Sequence, residues 1–338
     1  MEKVNLKVSV IIPCRNEKNF IGKCLDSIIA QDYPKDSLEV LVVDGMSEDR
    51  TREVIKDYVL KNPYIKLLDN PKRIVPTALN IAIKNAKGAI IIRMDAHNIY
   101  EKDYLSNCVT YLTKHNVDNV GGIWITLPGN ETLIAKSIAL ALSHPFGVGN
   151  AYFRIGSKEP KYVDTVPFGC YKKEVFEKIG LFDEDLVRNQ DIEFNLRLKK
   201  AGGRILLVPD IVSYYHARST LRSLAKNNFL NGLWVIYSIK FAKMPFSLRH
   251  LIPFFFVTSL LGSLILSLFY HPFIYLFTFI ITLYLIINIF FSIKLSIKNG
   301  LKYFPFLISS FFALHFSYGL GSIWGFLKLL MPEKRYVK

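Results

Sequence analysis

Ala89-Ile-Ile-Ile-Arg-Met-Asp-Ala-His-Asn98 is the stretch on which the rest of the chain is arranged. Ala89 to Met94 is a short apolar run rich in β-branched residues, entered from Gly88, and it reads as a buried strand. The run stops at Asp95-Ala96-His97. In open α/β sheets, ligands bind beyond the carboxyl ends of the strands. Asp95 and His97 are two apart, so they project to one side of an extended backbone. A carboxylate and an imidazole placed there can hold one divalent metal. Taken alone, the tripeptide is also a plain surface turn after a strand, and its surroundings decide between the two.

Upstream, Val8 to Ile12 is a continuous apolar run ending at Pro13, the pattern of a buried parallel strand. Phe20, Ile21, Cys24, Leu25, Ile28 and Ile29 recur at helical spacing. Leu38 to Val43 is a second strand ending at Asp44-Gly45, followed by a helix from about Asp49 to Leu60 that Ser47 or Asp49 could cap. Ile65 to Leu68 is a third strand, and Val75 to Ala86 a helix that Gly88 stops. This β-α-β-α order argues a parallel sheet wrapped by helices. The fingerprint G-x-G-x-x-G is absent after the first strand, as is a P-loop. The strand ends instead carry Arg15, Asn16, Glu17, Asp44 and Asp95, groups suited to a ribose, a base edge and a metal. Downstream, strands are expected at Val120 to Ile125, at Ile205 to Val208 (stopped by Pro209) and at Val212 to His216, with a helix at Thr132 to Leu142. A further helix begins near Asp191 and ends at Gly202-Gly203.

The composition divides the chain. No Asp or Glu lies between Asp210 and Glu333, and Leu251 to Phe269 and Phe273 to Ile293 carry no charge. Each is long enough for a bilayer core of about 30 Å, with a hairpin turn near His271-Pro272. Tyr303 to Phe326 is a third apolar stretch, broken up by Pro305, Gly319, Gly321 and Gly325. A full span there would place Lys334, Arg335 and Lys338 outside, so it is expected either to be re-entrant or to cross against the positive-inside tendency. The net charge of +15 gathers beside these segments, at Arg218, Arg222, Lys226, Lys240, Lys243 and Arg249. That fits the positive-inside tendency and anionic headgroups better than nucleic acid, for which no module is present. Ser219 to Met244 mixes basic with aromatic and aliphatic residues, as interfacial helices do. A short apolar run leading into Pro13 is no signal peptide, so the first 210 or so residues are expected in the cytosol. The four cysteines lack zinc-ligand spacing.

Four phrases in order resemble a family 2 glycosyltransferase with the GT-A fold: Val8-Ser-Val-Ile-Ile-Pro-Cys-Arg-Asn-Glu17, Val42-Val-Asp-Gly-Met-Ser-Glu-Asp-Arg-Thr51, Asp95-Ala-His97 and Asn189-Gln-Asp-Ile-Glu-Phe-Asn-Leu-Arg-Leu198. Pro71 to Asn80, Ile92 to His97 and Arg188 to Asp191 most resemble the succinoglycan-type enzymes, which add sugars to lipid-linked intermediates of exopolysaccharide. The resemblance implies an α/β, Rossmann-like, mostly parallel sheet with helices on both faces. The expected organisation is a catalytic domain at 1–216 (nucleotide half 1–118, acceptor half 119–216), interfacial helices at 217–250 and transmembrane helices at 251–330.

By the same resemblance, Asp44 with Pro13 and Glu17 holds base and ribose, and Asp95 and His97 stand in place of the Asp-x-Asp motif that binds a metal on the donor diphosphate. His216 joins the metal, Mn2+ or Mg2+, and Asp191 is the catalytic base. Arg15 and Asn80 are placed with the nucleotide. Arg73 and Arg93 contact phosphates or pair with acidic neighbours. Phe168, Gly169 and Gln190 border the acceptor, or Phe168 and Gly169 pack as an ordinary loop. Asn228 to Trp234 keeps only a displaced tryptophan of the processive Gln-x-x-Arg-Trp signature, favouring single-sugar addition. The expected function is an inverting transferase in the cell membrane, multi-pass, its catalytic domain on the cytoplasmic side. It moves a sugar from a nucleotide-sugar, UDP-linked by expectation, to a lipid-linked or saccharide acceptor. The rival readings are a polyprenyl- or dolichyl-phosphate sugar synthase and a non-catalytic membrane subunit with a vestigial nucleotide domain.

Overall fold

The computed structural model describes residues 6–242 and 248–331; Lys243 and Met244 lie outside them. In chain order the elements begin with β1 (Val8–Cys14), α1 (Ile21–Ile29), β2 (Leu38–Asp44), α2 (Thr51–Lys61), β3 (Ile65–Asp69), α3 (Val75–Asn85), β4 (Ile90–Arg93) and β5 (Ile99–Tyr100). There follow α4 (Tyr104–Lys114), β6 (Asn119–Leu127), α5 (Leu133–Leu142), α6 (Pro145–Val148), α7 (Tyr152–Ile155), β7 (Lys161–Tyr162), β8 (Cys170–Lys172), α8 (Glu174–Ile179), α9 (Gln190–Lys200) and β9 (Ile205–His216). The chain closes with α10 (Leu221–Tyr237), α11 (Ile239–Ala242), α12 (Ile252–Ser267), α13 (Phe273–Asn299) and α14 (Phe304–Leu330). It divides into two units, residues 1–125 with 156–216 and residues 126–155 with 217–338.

In the first unit the described strands form one mixed sheet in the order β3-β2-β1-β4-β8-β6-β9-β5, with β7 pairing β9. β3, β2, β1 and β4 are parallel. From β8 onward the described pairings are antiparallel. The expectation of a mostly parallel sheet therefore holds for the first half only, because β8 returns beside β4 in the opposite sense. β1 and β2 are buried on both faces, as their unbroken apolar runs require. α1 turns Ile21, Cys24, Leu25 and Ile28 onto this core. The register sets Cys14 beside Asp44, Asp44 beside Asp69 and Ile11 beside Arg93, so the parallel strands end together. β9 runs unbroken through Pro209, which had been expected to stop it. Pro209 falls between Leu206-Leu207, which pair with β7, and Ser213-Tyr214, which pair with β5, where these two partners ask for no N–H.

The second unit is helical. α12 has 16 residues, about 24 Å, while α13 and α14 have 27 each, about 40 Å. α13 and the stretch Leu301–Leu330 are long and apolar enough to cross a membrane. Residues 268–272 form the expected turn between α12 and α13. Across Tyr303 to Phe326 the proline and glycines do not break the chain, and α14 is one continuous helix. Pro305 occupies its first turn, where no N–H partner is lost. Its glycines serve close packing. A Cβ at Gly319 would come within 2.4 Å of the Pro253 carbonyl oxygen on α12, and one at Gly321 within 1.9 Å of the Phe229 oxygen on α10. α10 is thus packed along α14, with Arg222 and Lys226 exposed. Residues 126–155, read from sequence as part of the acceptor half, cluster here instead. α5 packs on α14, and the Phe146 carbonyl oxygen lies 2.7 Å from His315 Nε2. His315 Nδ1 lies 3.2 Å from the Tyr284 hydroxyl, which ties α14 to α13.

Candidate active site

A cleft of about 320 Å³ opens at the carboxyl ends of β1, β2 and β4. Pro13, Arg15, Glu17, Arg73, Arg93, Asp95, His97 and Gln190, all singled out from sequence, line it together with Gly45, Asn70, Ile74, Val187 and Arg188. The turns after β1 and β2 are laced to one another. The Asn16 amide donates to Ser47 Oγ at 2.8 Å, the Glu48 amide to Asn16 Oδ1 at 2.9 Å, and the Glu17 amide to Thr51 Oγ1 at 2.8 Å. Asn16 and Met46 both have positive φ, which lets each chain reverse sharply at its strand end.

Asp95 follows β4 and is fixed by its backbone, whose amide donates to the Tyr100 hydroxyl at 2.7 Å. Its carboxylate accepts from Arg93 Nε at 3.3 Å and Nη2 at 3.1 Å. Arg93 Nη1 also pairs with Asp191. One guanidinium, only 6% exposed, therefore joins the two carboxylates that the sequence put in different roles. Asp191 lies in the first turn of α9, one residue after Gln190, where the helix dipole favours a negative charge. The helix is entered through Asn189 at φ +60°, and no side-chain cap bond is made there. His97 Nδ1 is 3.3 Å from Glu17 Oε1. His216 ends β9, its Nδ1 buried without a hydrogen-bond partner among the described residues. Burial, then the charges of Lys23 and His97, hold the His216 imidazole below its ordinary pKa.

Other expected site residues are placed elsewhere. Asp44 is fully buried and does not line the cleft. Its carboxylate accepts from the Ser47 amide at 3.0 Å, Ser47 Oγ at 2.5 Å and Arg52 Nη1 at 2.7 Å. Arg52 also pairs with Asp69 at 2.8 Å. Sequence reading missed Arg52, although a cation in a first helical turn runs against the dipole and asks for a local anion. Asn80 is buried behind the cleft, where it exchanges hydrogen bonds with Phe182 and donates to Glu184 Oε1 at 3.1 Å, pinning the segment that leads to Val187 and Arg188. Lys72 and Asn80 pull the Glu184 pKa down to about 2. Phe168 is 3% exposed and packs on Trp124 and Tyr100, so its ring is core. The Gly169 carbonyl accepts from the Arg93 amide at 3.0 Å. Arg73 pairs with Glu48 at 3.2 Å, and Arg15 reaches the same oxygen at 3.8 Å.

Among the described residues, no group of three His, Cys, Asp or Glu side chains is assembled to hold a metal. The donors nonetheless fit one in kind. Asp95 offers a carboxylate and His97 an imidazole at the cleft, and His216, which does not line it, a buried ring nitrogen with no hydrogen-bond partner among the described residues.

The sequence model of glycosyl transferase family 2 matches residues 9–180, just over half of the chain and the whole parallel half of the sheet. The chain belongs to this family. Its catalytic class is therefore that of a glycosyltransferase. Among curated relatives, the dolichyl N-acetyl-alpha-D-glucosaminyl phosphate 3-beta-D-2,3-diacetamido-2,3-dideoxy-beta-D-glucuronosyltransferase of Methanococcus voltae is 36% identical over 266 residues, 76% of this chain and 81% of that protein. The succinoglycan biosynthesis protein ExoA of Rhizobium meliloti is 30% identical over 259 residues, 76% of this chain and 77% of its own. The mannosyltransferase PcManGT of Pyrobaculum calidifontis, solved with GDP-Man and Mn2+, superposes with a TM-score of 0.62 over 95% of this chain and 88% of that one. At 20% identity that likeness is one of fold.

Proposed function

We propose that this family 2 glycosyltransferase is an inverting enzyme of the cell membrane. In this reading it moves one sugar from a nucleoside diphosphate sugar, UDP-linked in the first instance, to a lipid-linked saccharide on the cytoplasmic face. The observation that carries the reading is the placement of Asp191 beside a strand-end cleft lined with arginines and Asp95. The two curated relatives support the acceptor class. The first is named for transfer to a dolichyl-linked sugar phosphate and the second for succinoglycan biosynthesis.

Pro13, Arg15, Glu17 and Arg73 form the nucleotide wall in this proposal. Asp44 acts through the turn it holds and Asn80 through the 182–184 segment. Asp95, His97 and His216 would hold a divalent cation. Such an ion, when bound, neutralises charge building on the departing diphosphate. The acceptor hydroxyl bonds to the anomeric carbon from the face opposite the diphosphate, and its proton passes to the Asp191 carboxylate. The bond from that carbon to the diphosphate oxygen breaks with its electron pair. Inversion follows from this single displacement. Gln190, at the cleft beside Asp191, orients the acceptor. α13 and α14 anchor the chain in the bilayer, where a lipid-borne acceptor is found.

Asp191→Asn tests the assignment. It keeps size and a partner for Arg93 but cannot take a proton at neutral pH. A general base contributes about 10²–10⁴-fold, so transfer should fall that far. Nucleotide affinity, read by calorimetry, should stay within a few fold. Retention of most transfer would move the base elsewhere, or point to an acceptor that is already an anion, as in a polyprenyl-phosphate sugar synthase. Mass spectrometry of the lipid product separates a sugar–sugar from a sugar–phosphate linkage. A screen of nucleotide-sugars against extracted lipids supplies the substrates.

A further inference from the structure

The geometry points to Arg93 as the positioning residue of the base: it orients Asp191 and ties it to Asp95, without itself binding the donor phosphates. This rests on the base reading of Asp191 above. Three nitrogens of one guanidinium are committed, Nε and Nη2 to Asp95 Oδ1 and Nη1 to Asp191 Oδ1. The two carboxylates are 96 positions apart in the chain and belong to different elements, one after β4 and one in α9. Arg93 is the fixed member. It ends β4 opposite Ile11, its amide is held by the Gly169 carbonyl, and the next amide donates to the Ile11 oxygen at 3.0 Å. α9 is itself held to the sheet, since Asn119 Nδ2 on β6 donates to Asn195 Oδ1 at 2.9 Å and Asn195 Nδ2 to Thr165 Oγ1 at 2.8 Å. Arg93 therefore fixes the side chain of Asp191 in the first turn of a helix whose axis is already set.

Two other roles are open to a cleft arginine, and both fit less well. A phosphate ligand has to offer its N–H groups to the cleft, whereas this guanidinium is 6% exposed and faces two anions. A merely structural cation needs no specific pair, yet the fork matches two carboxylates in a way a lysine ammonium, a single point charge, cannot. Without it, two carboxylates face one another with no cation between them, and their repulsion turns Asp191 from the acceptor. A misplacement of about 1 Å can cost about 10²-fold in rate. The same tie makes the base sensitive to the donor side, because any group that engages Asp95 redistributes the guanidinium between its partners.

The test uses the full chain in detergent with Arg93→Gln, Arg93→Lys, Asp191→Asn and the double variant Arg93→Gln/Asp191→Asn. UDP with Mn2+ is the binding probe in calorimetry, and kcat is taken with the donor and lipid acceptor found by the screen above. We expect kcat to fall roughly 10–100-fold in Arg93→Gln, by analogy with such misplacement. UDP affinity should stay within about threefold. Arg93→Lys, which keeps the charge and the fold-level ion pair, should recover only part of the rate. The double variant should be no slower than Asp191→Asn alone, because residues acting as one unit are non-additive. UDP affinity falling in step with kcat would make Arg93 a phosphate ligand and overturn the inference. So would additive losses, or a lowered melting temperature with unchanged kcat per folded molecule. Asp191→Asn with full transfer would instead refute the base reading, while an inactive Asp191→Asn beside fully active Arg93 variants would refute only the positioning role.

Discussion

Gly169→Ala separates a residue that contacts the acceptor from one that lets the chain fold beneath it. Gly169 sits at φ +93°, directly after Phe168 at φ +63°. An L-residue in the left-handed region costs about 1–2 kcal/mol. The new Cβ would also come within 2.5 Å of the Tyr171 ring, which is 1% exposed and boxed in by Phe176 and Phe194. Forcing a buried ring aside costs about 1–3 kcal/mol. The two together make about 2–5 kcal/mol. At about 2–4 °C per kcal/mol for a body of this size, the melting temperature should drop by roughly 4–20 °C. Thermal unfolding in detergent measures it, with acceptor KM read below the transition. A variant that melts within 2 °C of the parent but shows a raised acceptor KM would refute this reasoning and restore Gly169 to the acceptor pocket.

Three further outcomes are expected. Asp95→Ala should abolish metal-supported UDP binding, with manganese the better ion for a site rich in imidazole; unchanged binding in excess chelator sinks the metal reading. His216 should titrate below 6.5, because burial, with Lys23 and His97 adding to it, favours its neutral form. Its folded-state pKa is depressed, so its contribution to stability is full above the unfolded value of about 6.5 and is lost as pH falls below it; a His216 midpoint at or above 6.5 by NMR contradicts the placement. The hairpin reading needs α12 to cross the bilayer with α13, and on it His271→Cys, at the exposed turn between them, should react with an impermeant maleimide added outside intact cells. The four native cysteines are buried and should stay silent, so protection of position 271 counts against the hairpin and leaves α13 and α14 as the crossing pair.

What the sequence makes legible is whatever one segment decides by itself. β1, β2 and β4 are unbroken apolar runs that end at polar residues, and the site residues follow at those ends. What it hides is decided by partners. Pro209, Pro305 and the α14 glycines read as breaks, because the missing ladder partner and the close helix neighbours that make them harmless are tertiary facts. α5 is apolar enough for either a soluble core or the C-terminal helices, and only packing assigns it to the latter. Asp44 stands before a glycine as an exposed turn residue would. Its carboxylate points inward because Arg52 and Ser47 are there to receive it.

The arginines of the site sort themselves by burial. Arg15 and Arg73 share Glu48, and the three side chains are 40%, 49% and 67% exposed. An ion pair in that setting is worth about 0–1 kcal/mol, so a donor phosphate can replace the Glu48 carboxylate at little cost. Arg93 is 6% exposed between two carboxylates. Its partners Asp95 and Asp191 are 23% and 27% exposed, so parting them costs more than the about 0–1 kcal/mol of a surface pair and less than the about 3–5 kcal/mol of a fully buried one. The incoming diphosphate is therefore expected to recruit Arg15 and Arg73 and to leave Arg93 in place. On the proposed reading the same charge type thus serves two ends: loosely held at the mouth, where it would be exchanged for substrate, and tightly held at the sheet, where it would keep Asp191 aimed.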